Sequence, residues 1–268
     1  MPVSAATHRS YFLPVMGGLI ALAWLALVAW AASPYARFLQ HGGSTDPVFL
    51  EICRALPAGE VIVPAILYVA GWLLMITAMM LPTTLPLLDM FRRVAEGRAN
   101  RDALVVLVVA GYLAAWTAFG IAAHLADALA HRAAAESAWL TLNGWIFGVA
   151  LLAGAGLFQF SALKYRCLDK CRTPMSFLQQ HWQGRNDRRN ALLLGLRHGA
   201  FCVGCCWALM LLMFAVGTGS VGWMLGLGVV MAAEKNLPWG RRLSAPLGLG
   251  LLAAAAAVLL LNLGALRT

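Results

Sequence analysis

Seven apolar runs, parted by shorter polar segments, dominate the chain. They lie near Phe12–Ala32, Val61–Leu81, Ala103–His124, Trp139–Leu163, Ala191–Val216, Val221–Leu237 and Pro246–Leu266. A helix rises ~1.5 Å per residue, so ~20 residues cross ~30 Å of hydrocarbon. Each run is of that order, and none shows the period-two alternation of a strand. The pattern predicts an all-α, polytopic transmembrane helix bundle of about seven spans. The sixth run is the shortest, and Gly217-Thr218-Gly219-Ser220 joins it to the fifth as a tight outer hairpin. Ala29-Trp30-Ala31 looks like a small-x-small cleavage site. The apolar stretch before it is longer than a usual signal-peptide core, and it reads as an uncleaved anchor. No connection is long enough for a soluble domain, so residues 1–268 read as a single integral membrane domain.

Composition supports the pattern. Of 268 residues, 61% are hydrophobic and 12% charged, with a mean hydropathy of +0.76. A soluble domain is nearer half apolar and a quarter charged. That balance excludes a soluble globular chain, and disorder would need low hydrophobicity. The formal net charge is +9. Lys and Arg gather in the cytoplasmic connections of membrane proteins. Here fifteen of the twenty lie at the N-terminus and in the connections after the second, fourth and sixth runs, four lie on the other side, and Arg197 is inside the fifth run. This bias predicts a cytoplasmic N-terminus and a multi-pass protein of the inner (cytoplasmic) membrane, with the lipid bilayer as its first partner. No basic stretch outside the runs interleaves with stacking aromatics, so no nucleic-acid partner is expected.

The six cysteines are Cys53, Cys167, Cys171, Cys202, Cys205 and Cys206. Under that orientation only Cys53 faces the oxidising side, and no structural disulfide framework is expected. Cys202-Val203-Gly204-Cys205-Cys206 falls inside the fifth run, roughly 17–22 Å from its cytoplasmic end at ~1.5 Å per residue. At ~100° per residue, His198, Cys202, Cys205, Cys206, Leu209 and Met213 share one broad face. Thiolate and thioether ligands favour Cu(I), and mixed Cys/His sets also suit zinc. The competing reading is that these cysteines are small apolar fillers at a close helix contact. Cys167 and Cys171 are four apart at the cytoplasmic edge of the fourth run. On a helix both would face the same way, beside basic residues that favour the thiolate.

Other segments add soft or ionisable groups on the same side. Met75, Met79 and Met80 precede Pro82, either as thioether ligands or as adaptable packing. Pro82 and Pro86 end or kink that helix and free carbonyls. Glu234 and Lys235 close the sixth run. An ionisable group at such a depth finds a partner, and for Glu234 the expected partner is Arg197 or His198. Gly195 and Gly199 form a small-xxx-small step that lets a neighbouring helix approach closely. His124 and Asp127 read as solvated outer residues.

Three of these segments together carry a family resemblance. They are Trp72-Leu73-Leu74-Met75-Ile76-Thr77-Ala78-Met79-Met80-Leu81-Pro82, then Lys164 through Pro174 with both cysteines, and then Cys202-Val203-Gly204-Cys205-Cys206-Trp207 followed by Glu234-Lys235. Over roughly Val61–Lys235 the chain resembles a bacterial domain-of-unknown-function family described as predicted metal-binding integral membrane proteins, some of whose relatives are labelled copper chaperones. The resemblance implies that Met79, Met80, Cys167, Cys171, Cys202, Cys205, Cys206 and Glu234 are the marked positions. Where relatives often have Tyr-Gln and Pro-Leu-Lys, this chain has Phe158-Gln159 and Ala162-Leu163-Lys164. Any role for a tyrosine hydroxyl there is in doubt, and the cysteines are unaffected.

The leading reading is a metal-handling membrane protein, more a carrier than an enzyme. It would bind a soft ion, Cu(I) before zinc, through Cys167, Cys171, Cys202, Cys205 and Cys206. His198, Met75, Met79, Met80 and Glu234 are the further candidates. It would deliver the ion to an acceptor, take it from a donor protein, or move it across the bilayer. No Gly-rich Lys phosphate loop marks a nucleotide-driven pump. Two other classes stay open. One is a structural or assembly subunit whose cysteines only pack. The other is a membrane thiol-redox enzyme using Cys202 and Cys205.

Overall fold

The computed structural model describes residues 4–33, 59–137, 139, 143–182, 187–216 and 220–265. Among these residues the chain is helical throughout, without a strand. The helices are α1 (Ser4–Ala31), α2 (Gly59–Met79), α3 (Leu81–Val94), α4 (Arg101–Glu136), α5 (Trp145–Phe158), α6 (Ala162–Arg172), α7 (Pro174–His181), α8 (Asp187–Val216), α9 (Val221–Asn236) and α10 (Ser244–Ala265). A short 3-10 turn, Gly240–Leu243, joins the last two.

Four helices are long and apolar enough to cross a membrane: α1, α4, α8 and α10 with its preceding turn. The count becomes six if the bent pairs α2–α3 and α5–α6 each make one span. The remaining expected span coincides with α9, which has 16 residues. The outer hairpin at 217–219 and Cys53 lie outside the described residues. Helices α1 and α10 bury little of themselves; Leu22, Leu25, Leu260 and Leu261 all stand exposed, as lipid-facing side chains would.

Two features set the interior. The first is the close pairing of α4 with α8. An added Cβ at Gly195 would strike the Val108 carbonyl, and one at Gly199 would come within 2.9 Å of the Tyr112 carbonyl. Gly111 of α4 meets the backbone of Leu192 and Leu196 in the same way. The small-xxx-small step on α8 therefore does bring a neighbour in, and that neighbour is α4. Helix α2 is stitched to α4 by Trp72 Nε1, which donates to the Trp116 carbonyl at 2.8 Å, and by the Tyr68 hydroxyl, which donates to the Gly120 carbonyl at 2.9 Å.

The second feature is a pair of breaks. Helices α2 and α3 meet at 67°, and α5 and α6 at 63°. Pro82 sits in the first turn of α3, where its missing N–H costs nothing. The Thr83 hydroxyl donates to the Met80 carbonyl at 2.7 Å, and the Thr84 and Tyr112 hydroxyls each lie 3.3 Å from the same oxygen. Carbonyls loosened by a broken ladder are thus satisfied by side chains. At the second break Ser161 caps α6, its hydroxyl accepting from the Lys164 amide at 3.1 Å. The fourth expected span, Trp139–Leu163, therefore does not run straight. It bends after Phe158, and the segment carrying Cys167 and Cys171 is a separate helix folded back onto α8.

Candidate metal centre

Cysteines from α6 and α8 meet in one core. Cys202, Cys205 and Cys206 are each about 1% exposed, Cys167 is 7% exposed and Cys171 is half-buried. The i, i+4 spacing turns both α6 thiols toward α8. The Cys167 sulfur lies over Gly204, where an added Cβ would come within 2.6 Å of it. The glycine inside the Cys-Val-Gly-Cys-Cys stretch thus clears the space that the α6 sulfur needs. The Cys171 thiol interacts with those of Cys202 and Cys205, and Cys167 lies close enough to feel Cys205.

The α8 thiols are held by local partners. Cys205 and Cys206 donate to the Cys202 carbonyl at 3.1 and 2.8 Å. Cys202 Sγ lies 3.1 Å from the Tyr112 hydroxyl and 2.9 Å from the Lys235 ammonium. As they stand, the side chains do not close into a cage. Among the described residues no group of three or more His, Cys, Asp or Glu is placed to hold a metal ion. Three thiols on one helix need side-chain rotation, away from that carbonyl, before they can converge on an ion.

Thioethers surround the thiols. Met75, Met79, Met80, Met210, Met213, Met224 and Met231 are all buried in the same core as the cysteines. Met80 reaches the thiol centre through Lys235, whose Nζ is 3.7 Å from its sulfur. Met79 packs over Gly228 of α9. His198, one turn from Cys202, is 3% exposed, and its Nδ1 is buried without a hydrogen-bond partner among the described residues. Its ring lies between Tyr112 and Phe177.

Glu234 requires a correction. Its partner is neither Arg197, which is exposed, nor His198. The carboxylate accepts from Lys164 Nζ at 2.8 and 2.9 Å and from the Ser244 hydroxyl at 2.7 Å. Lys164 is fully buried and also donates to the Gln159 side chain. The expectation failed because Lys164 counted as one of many loop charges. The break at Gln159–Ser161 turns it inward, and backbone direction is not visible in the pattern. Arg172 donates to the Glu234 and Pro238 carbonyls, so α6 also holds the end of α9. His124, read as solvated, is half-buried and stacks on Tyr68 at 4.2 Å.

Tyr112, Thr83 and Lys235 complete the surroundings of Cys202. A lone tyrosine in an otherwise apolar run was the only available signal for the first. Lys235 was visible as half of a charged pair, although its facing was not.

A buried core of thiols and thioethers is a donor set that suits soft metal ions. The chain is a member of a family described as copper chaperone, whose profile matches residues 69–258, more than two thirds of its length. That stretch contains every cysteine and methionine placed at the centre above. No curated protein and no solved structure matches the chain.

Proposed function

We propose that this protein is an integral membrane copper chaperone that carries Cu(I) on the sulfurs of Cys171, Cys202, Cys205 and Cys206. Cys167, Met79, Met80 and His198 stand as flanking ligands. One observation carries the reading. Thiols from two separate helices meet in a core that also holds seven methionines; thiolates suit Cu(I) and zinc alike, and the thioethers tilt the set toward the softer ion. Glu234, engaged by Lys164 and Ser244, serves the fold rather than the ion.

The helices α1, α4, α8 and α10, the two bent pairs and α9 together make seven crossings. The arginine bias puts the N-terminus in the cytoplasm, and the segments that close over the thiols, α6 and the end of α9, in the cytoplasmic half. Delivery then runs between that half and a donor or acceptor protein. Anaerobic titration of the detergent-purified chain with Cu(I), in competition with bicinchoninate, tests the reading. The expected result is tight binding of at least one equivalent that is lost in the Cys202→Ser/Cys205→Ser/Cys206→Ser variant. Substoichiometric copper in the intact chain would sink it.

A further inference from the structure

The chain contains only three lysines, Lys164, Lys170 and Lys235. Lys170 is at the surface, donating to Gln180 at 2.8 Å. Lys164 is buried against a carboxylate. Lys235 is buried too, at 5% exposure, yet it makes no ion pair with any carboxylate among the described residues. Its Nζ is surrounded by Cys202 Sγ at 2.9 Å, Thr83 Oγ1 at 3.4 Å, Met80 Sδ at 3.7 Å and Cys206 Sγ at 3.9 Å. An ammonium withdrawn from water needs compensating partners. Here those partners are one hydroxyl, two cysteine sulfurs and a thioether, and the sulfurs are the atoms that would bind a soft cation.

The geometry points to Lys235 as a resident cation that holds the position of the copper ion in the metal-free protein and is displaced when Cu(I) enters. This rests on the copper reading above and adds a loading step to it. The ammonium keeps its proton throughout. The sulfur of Cys202 gives up an N–H contact and gains a copper bond, and any proton that the metal displaces from a thiol passes to solvent. One monovalent cation replaces another, so the centre never holds two. Lys235 is the next-to-last residue of α9, so its side chain has a short path out of the core. When copper leaves for an acceptor, the returning ammonium covers the vacated sulfurs.

The test is amine labelling of the full chain in detergent. N-hydroxysuccinimide acetate is applied with and without one equivalent of Cu(I) under argon, and peptide mass spectrometry reads each lysine. Lys170 should label in both states and Lys164 in neither. Labelling of Lys235 should rise at least tenfold on loading. Stoichiometric copper with Lys235 still protected overturns the displacement and leaves the chaperone reading intact, whereas failure to bind copper removes both. A second measurement uses Lys235→Met, with protection of Lys164 reporting that the variant is folded. Freed of its competitor and given another thioether, this variant should retain Cu(I) at least tenfold more tightly against bicinchoninate. Equal or weaker retention in the folded variant overturns the inference.

Discussion

The last turn of α9 presents two neighbouring side chains to two different buried sites. On one side Glu234 meets Ser244 of α10 and, from the α5–α6 break, Lys164, which also donates to Gln159. On the other, Lys235 meets Cys202, Cys206, Met80 and Thr83 through the α2–α3 break. Successive helical residues point ~100° apart, so adjacent charges serve separate surroundings. The Lys164 site has its charges matched. Its ammonium has a carboxylate and its carboxylate has a hydroxyl, so neither charge is left for a ligand to meet. The Lys235 site has its cation but, among the described residues, no carboxylate, only three weakly accepting sulfurs and the Thr83 hydroxyl around it. A matched ion pair serves the fold, whereas an ammonium lodged beside sulfurs and one hydroxyl has no counter-charge from a carboxylate among the described residues.

That contrast can be broken most directly from the structural side. Replacing Glu234 with Ala leaves the Lys164 ammonium buried and unpaired, a loss of about 3–5 kcal/mol. Thermal unfolding in detergent should show a collapse of the transition, and an unchanged transition would mean that the pair is not desolvated. On the exchangeable side, Cys202→Ser should leave the unfolding transition near that of the parent. It should weaken Cu(I) binding on the order of 100-fold, or ~2.7 kcal/mol, in bicinchoninate competition. Equal copper affinity would move the centre elsewhere.

Two smaller changes sharpen the picture. Gly204→Ala places a methyl 2.6 Å from the Cys167 sulfur, too close for both to stay, at a cost of about 1–3 kcal/mol. Maleimide labelling of Cys167 should speed up as α6 is pushed off α8. Gly250→Ala, with open space around it, is the neutral control. Tyr112→Phe removes the hydroxyl shared by Cys202 and the Met80 carbonyl, for roughly 1 kcal/mol. Unfolding should detect that small loss, with copper binding changed less than in Cys202→Ser.

Much of the centre was legible along the chain. The stripe from His198 through Cys202, Cys205 and Cys206 needed only the helical period, and all four side chains are buried together. Cys167 and Cys171 needed only their spacing to face one way. Pro82 marked the first break, and the glycine step marked a close contact. The second break carried no proline and was missed, and with it the inward turn of Lys164. Shared depth at the cytoplasmic side pointed Glu234 to Arg197 or His198, and depth does not say which way a side chain faces. The carboxylate instead looks toward α6 and α10.

Helix content, the clustering of soft donors on particular faces and the sidedness of the charges follow from the order of residues. They depend on local periods and on the cost of placing polar groups in an apolar medium. Which faces meet is a different matter. The seating of Cys171 against Cys202, the insertion of Lys235 among sulfurs and the pairing of Lys164 with Glu234 join residues from 29 to 155 positions apart. Those contacts depend on two bends of more than 60° and on the depth to which glycine backbones interpenetrate. Packing in three dimensions selects among many equally apolar faces, and no one-dimensional period encodes that choice.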